Sequence, residues 1–128
     1  MKKKILIVDD EEMVCHLVKQ ILERTGDFQV ITAFRGQQGL EMAFSHNPDL
    51  ILLDIMMPGM GGNDVAQHLL SDPRTADIPI IFLSALAQKE EVSASQGSIG
   101  GRSFIAKPVT AQELITRVRE ISGKSDLV

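Results

Sequence analysis

The chain has 128 residues, 44% hydrophobic and 23% charged, enough for one domain that builds a core without disulfide or metal staples. Its formal net charge is −4 and its only basic run is Lys2-Lys3-Lys4, which argues against a nucleic-acid surface. Cys15 is the sole cysteine, so an intrachain disulfide is excluded and a reducing, cytoplasmic setting fits, and no apolar run approaches the length of a membrane span.

Ile5 to Val8 is short, continuous and β-branched, the pattern of a strand buried on both faces. Met13, Val14, Leu17, Val18, Ile21 and Leu22 then recur at helical spacing, with Cys15 among them as a buried, inert thiol. Asp9-x-x-Glu12 predicts a capping box for that helix, and Gly26 ends it. Phe28 to Phe34 reads as a second strand. Gln37 to Ser45 reads as a helix with Leu40, Ala43 and Phe44 inward, closed by Asn47-Pro48. Leu50 to Leu53 is a third strand. Asn63 to Ser71 is a helix with Val65, Leu69 and Leu70 inward, ended by Asp72-Pro73. Ile78 to Leu83 is a fourth strand, with Pro79 near its start, where a missing N–H matters least. Lys89 to Val92 can open a short fourth helix, although Ser93, Ser95, Gly97, Ser98, Gly100 and Gly101 then disfavour its continuation. Phe104 to Ala106 is a fifth strand. Thr110-x-x-Glu113 is a second capping box, opening a fifth helix with Leu114, Ile115, Val118 and Ile121 on one face. Residues 1–123 form one domain, and 124–128 read as a loose tail. His16, His46 and His68 are scattered without ligand spacing and read as surface or helix-end residues.

Five β-then-α units predict an α/β fold, a doubly wound parallel sheet with helices on both faces. Ligands in such sheets bind beyond the carboxyl ends of the strands. Asp9 and Asp10 follow the first strand, Asp54 the third, Ser84 the fourth and Lys107 the fifth. If the first and third strands are neighbours, three carboxylates share one crevice and repel each other at a partly desolvated site. A divalent cation resolves that conflict. Oxygen donors without His or Cys favour Mg²⁺, whose retained waters leave room for a phosphate. Lys107 offers a point charge for phosphate oxygens and Ser84 a hydroxyl. A carboxylate held by Mg²⁺ and lysine is a nucleophile suited to attack phosphorus and form an acyl phosphate.

The segments "ILIVDDEE", "PDLILLDIMMPGMGG", "IPIIFLSALA" and "FIAKPV", in this order and spacing, resemble the receiver domain of two-component response regulators, from Lys3 to about Gly123. The resemblance implies a CheY-like, flavodoxin-like three-layer sandwich with strand order 2-1-3-4-5 and five helices. It implies that Asp54 is the phosphoacceptor. Asp10, Asp54 and the Met56 carbonyl would bind Mg²⁺ directly, with Asp9 near the ion or acting through water. Ser84 and Lys107 would contact the phosphoryl group, Lys107-Pro108 would be a cis peptide at Pro108, and Ser84 and Phe104 would form the switch. Phe104 lacks a hydroxyl, so switching would act by ring packing. Met56 and Leu86 would flank the attacking water of dephosphorylation, and both are apolar.

The implied function is Mg²⁺-dependent acceptance of a phosphoryl group from a sensor histidine kinase or phosphotransfer protein, switching protein–protein interactions. The implied protein is a phosphoacceptor that assists its own phosphorylation and dephosphorylation and is not otherwise an enzyme. Its output would be a downstream target protein or a covalently attached output domain, with no direct nucleic-acid or membrane contact and with a homodimer left open. The alternative is a Mg²⁺-dependent phosphohydrolase working through an aspartyl phosphate. Such enzymes usually place a second Asp two residues after the nucleophile, where this chain has Met56. A nucleotide-binding module is excluded by the acidic turn after the first strand, which has no phosphate-binding glycine pattern.

Overall fold

The computed structural model describes residues 2–85, 98–99 and 102–124. Strands are β1 (Lys3–Val8), β2 (Phe28–Ala33), β3 (Leu50–Asp54), β4 (Ile80–Ser84), β5 (Ser98–Ile99) and β6 (Arg102–Ala106). Helices are α1 (Glu12–Arg24), α2 (Gly36–His46), α3 (Gly62–Ser71) and α4 (Ala111–Lys124). The sheet order is β2-β1-β3-β4-β6-β5. The first five in that order are parallel neighbours, and β5 is antiparallel to β6 at the edge. The parallel strands alone therefore follow 2-1-3-4-5 in chain order. Chain direction across the sheet reverses between β1 and β3, the place where such sheets open a crevice.

The period-2 alternation of each strand divides the core into two layers. Ile5, Ile7, Leu50, Leu52, Ile81, Leu83 and Ile105 face Cys15, Val18 and Leu22 of α1 and Leu114 and Val118 of α4. Leu6, Val8, Ile51, Leu53 and Phe82 face Leu40 and Ala43 of α2 and Val65, Ala66 and Leu69 of α3. Because the central strands are covered on both sides, they are apolar throughout: every residue from Ile5 to Val8 and from Leu50 to Leu53 is fully buried.

Several expectations need correction. Among the described residues the sheet contains the five expected parallel strands and one further, antiparallel strand. The sixth is a two-residue edge strand, too short for an apolar period to reveal, with Ile99 paired to Arg102. Four helices lie among the described residues; the helix expected from Lys89 and the position of Leu86 fall outside them. The last helix runs through Gly123 to Lys124, residues 124 onward having been expected as tail. Met13 and Leu17, counted in the α1 stripe, point outward, Met13 being 84% exposed. On a helix each step turns about 100°, so a residue one place ahead of Val14 or Val18 already lies at the rim of the buried face. Leu70 is likewise 57% exposed. Phe44 lies at the surface beneath Arg74, whose guanidinium carbon is 4.5 Å from the ring centroid. The fourth strand starts at Ile80, after Pro79, whose carbonyl accepts the Ile51 N–H at 3.0 Å.

Candidate phosphoacceptor and metal site

The same alternation that sorts the core also assembles the site. Asp9, Asp54 and Lys107 stand two residues beyond Ile7, Leu52 and Ile105, so they continue the α1–α4 side of the sheet past its apolar end. Ser84 has the parity of Phe82 and belongs with the other side, as does Phe104, whose ring stacks on Phe82 at 5.4 Å between centroids. The Lys107 N–H donates to the Ser84 carbonyl at 3.0 Å and the Lys107–Pro108 peptide is cis.

Two local devices hold the acids in place. In the β1–α1 turn the Asp9 N–H donates to the Ala33 carbonyl at 3.0 Å, while Asp9 Oδ1 accepts the Glu11 N–H at 2.9 Å. The predicted capping box is therefore not formed. The α1 N-cap is Glu11, Glu12 is already in the first turn, and the Asp9 N–H is committed to the neighbouring strand. Cys15 is buried behind the turn and its thiol donates to the Asp9 carbonyl at 3.3 Å. Burial first and the nearby Asp9 charge second push the Cys15 thiol up to about 12, so it is an inert packing and hydrogen-bonding group.

After β3 the chain doubles back, with Gly59 at φ +76° and the Gly62 N–H donating to the Ile55 carbonyl at 2.9 Å. A Cβ on Gly62 would lie 2.3 Å from the Asp54 carbonyl oxygen and 2.8 Å from the Ile55 Cα. Only glycine lets α3 start so close to the end of β3, which fixes the backbone from which Asp54 projects. Met57 is buried in the core layer, whereas Met56 is 64% exposed.

One ligand oxygen from each of Asp9, Asp10 and Asp54 lies within 4.8 Å of the others. Asp9 and Asp54 are buried and Asp10 is half-buried. Lys107 Nζ stands 2.9 Å from Asp9 Oδ2, 3.0 Å from Glu11 Oε1 and 3.4 Å from Asp54 Oδ1. The approach to Asp9 Oδ2 is a close ion pair that falls outside strict hydrogen-bond alignment. Burial, then the Asp9 charge, raise the Asp54 carboxyl to about 6 against the pull of Lys107. Burial also raises Asp9, although the Glu11 N–H and Lys107 oppose it. Burial works against the Lys107 cation, but its hydrogen-bonding and charged partners Asp9, Glu11 and Asp54 outweigh that and hold its pKa above the ordinary lysine value. One lysine therefore does not fully compensate the carboxylates. A crowded set of hard oxygen donors, with no His or Cys among them, fits a small divalent cation of the Mg²⁺ type.

The expected residues Asp9, Asp10, Asp54 and Lys107 are thus brought together, with Ser84 at the end of the neighbouring strand. Glu11 is an addition. Its reach to Lys107 depends on the N-cap geometry, which sequence spacing does not reveal. His16, His46 and His68 are exposed and away from the crevice.

The sequence matches the response regulator receiver domain family across residues 5–119. The chain belongs to that family. Among curated relatives it is 38% identical over 125 residues to the DNA-binding dual master transcriptional regulator RpaA of Synechocystis sp., covering 98% of this chain and 51% of that one. It is 33% identical over 124 residues to the polar-differentiation response regulator DivK of Brucella ovis, covering 96% of this chain and 98% of that one. The chain thus spans about half the length of RpaA and nearly all of DivK. Among solved structures, a CheY-like response regulator receiver domain protein from Methanospirillum hungatei superposes with a TM-score of 0.82 at 28% identity, covering 98% of both chains. These matches favour a receiver over the phosphohydrolase alternative.

Proposed function

We propose that this chain accepts a phosphoryl group on Asp54 from a sensor histidine kinase or a phosphotransfer protein. The observation that carries the reading is the placement of Asp54: buried at the end of β3, within ligand distance of Asp9 and Asp10 and 3.4 Å from the Lys107 ammonium. An Asp54 carboxylate oxygen attacks phosphorus. The P–N bond to the donor histidine breaks, its electron pair returns to the imidazole, and an acyl phosphate remains. Asp10, Asp54 and the Met56 carbonyl, with Asp9 nearby or acting through water, would hold a Mg²⁺ ion, which would supply positive charge for the acids and the phosphoryl oxygens. Lys107 balances the charge from the opposite side, and Ser84 donates its hydroxyl to a phosphoryl oxygen.

Output follows from the opposite side of β4. Drawing the Ser84 hydroxyl toward the phosphoryl group leaves space for Phe104, whose ring shifts by repacking against Phe82. The changed surface is read by a downstream target protein or by an output domain attached to the same protein, in a cytoplasmic setting and without direct nucleic-acid contact by this domain. No described helix is long and apolar enough to cross a membrane. The exposed Met56 side chain, two residues after Asp54, offers no acid or base to a hydrolytic water and favours a long-lived acyl phosphate.

Intact-mass measurement after incubation with acetyl phosphate and Mg²⁺ tests the proposal. The wild type gains one phosphoryl group and Asp54→Asn gains none. Equal labelling of the two, or none in a wild type handled beside a receiver that labels, contradicts it.

A further inference from the structure

We propose that Glu11 is a specificity-determining residue that holds the solvent side of the Lys107 ammonium in the unphosphorylated protein and discriminates among phosphodonors by their charge. The inference rests on the phosphoacceptor reading of Asp54. Glu11 is the N-cap of α1, yet its side chain makes no cap hydrogen bond. Its backbone is committed on both sides: the N–H donates to Asp9 Oδ1, and the carbonyl accepts the Val14 N–H at 3.0 Å and the Cys15 N–H at 3.3 Å. The carboxylate instead accepts a hydrogen bond from Lys107 Nζ at 3.0 Å.

Around that ammonium the three carboxylates differ in depth. The side chains of Asp9 and Asp54 are 0% and 5% exposed, that of Lys107 is 12% and that of Glu11 is 62%. Asp9 and Asp54 form the floor and Glu11 is the rim. A donor arriving from solvent meets the Glu11 charge before it meets Lys107. A phosphoryl oxygen that takes up Lys107 must also displace or share the Glu11 hydrogen bond. Both costs grow with the negative charge of the donor. A protein donor offsets them with contacts elsewhere on its surface, whereas a small free donor has nothing to set against them.

Acetyl phosphate and phosphoramidate separate the charge effect. In the first, Asp54 attacks phosphorus and acetate leaves with the P–O electron pair. In the second, the P–N pair leaves on nitrogen that is already protonated, as ammonia. At neutral pH the first donor is a dianion and the second carries one net negative charge. Removing one anion from a solvent-facing site, as in Glu11→Gln, should raise the labelling rate roughly three- to tenfold with acetyl phosphate and only about two- to threefold with phosphoramidate. Both gains should shrink at about 1 M salt, because the position is exposed to screening. Binding of beryllofluoride with Mg²⁺, which involves no turnover, should tighten in the same variant. Equal gains for both donors, or no change in either rate or in beryllofluoride affinity, would overturn the inference while leaving Asp54 as acceptor. Absence of labelling by both donors in both proteins would overturn the phosphoacceptor reading and this inference with it.

Discussion

Asp54 carries an unfavourable charge in the metal-free protein, and folding should register it. Its carboxyl is raised to about 6 by burial and by Asp9, with Lys107 already opposing the rise. The folded protein therefore holds that proton more tightly than the unfolded chain, whose aspartates titrate near 3.9. Between those values the unfolded state binds fewer protons, so stability is greatest below about pH 4 from this group and falls as pH rises through about 6. The loss is on the order of 3 kcal/mol. In urea titrations with chelator, wild type should weaken between about pH 4.5 and 7.5. Asp54→Asn should weaken less over that range and be the more stable protein at the upper end, with Asp9 supplying a residual slope in the same direction. Added Mg²⁺ should close most of the gap. An Asn variant less stable than wild type at the upper pH would mean that Lys107 already compensates the acids. At this scale the strand-end acids and Lys107 were legible as candidates, because period 2 and strand-end position mark them, although which of them meet depends on strand order. Glu11 was not, since its role depends on a helix that starts two residues later than the Asp9-x-x-Glu12 spacing suggests.

Elements place these residues by close approach as much as by hydrophobic pattern. The start of α3 packs so near the end of β3 that a Cβ at Gly62 would strike the Asp54 carbonyl and the Ile55 Cα, both backbone. Neither can move without shifting β3, so Gly62→Ala should cost about 2 kcal/mol, as overpacking typically does. It should also reduce Mg²⁺ affinity by moving Asp54. Chemical denaturation and calorimetry would show both effects; a variant of wild-type stability would mean that the α3 entry is loosely held. At the other end, the Thr110 hydroxyl accepts the Glu113 N–H at 3.3 Å, so the Thr110 half of that predicted capping box forms, while Asp9 does not cap α1. The difference is competition. Asp9 lies against the neighbouring strand, which takes its N–H, whereas Thr110 lies in a loop with no strand beside it. Strands were legible to within a few residues because buried β-branched runs admit little else. The outward turn of Met13, Leu17 and Leu70 was not, because an apolar residue at the rim of a helix satisfies the same spacing as one at its centre.

For the whole molecule, the strand order decides that a site exists. β1 and β3 are neighbours only because the connection after β2 crosses back over β1, and that crossing brings Asp9 and Asp10 beside Asp54. Composition and periodicity predicted a doubly wound sheet, but the order came from resemblance to a family, since parallel strands with similar apolar runs carry no label for their neighbour. The edge strand β5 escaped for a related reason: two residues hold no period. The family and fold are common to regulators about twice this length and to DivK, whose length this chain nearly matches. The central claim is that chemistry falls on Asp54 and not on the acids around it. Borohydride reduction of the protein after acetyl phosphate and Mg²⁺ converts an acyl phosphate to an alcohol, and peptide mass mapping then locates the altered residue. The modification should map to position 54 alone, with Asp9, Asp10 and Glu11 unchanged. A reduced residue in the Asp9–Glu11 segment, or an unaltered Asp54 in protein that has gained a phosphoryl group, would contradict the account.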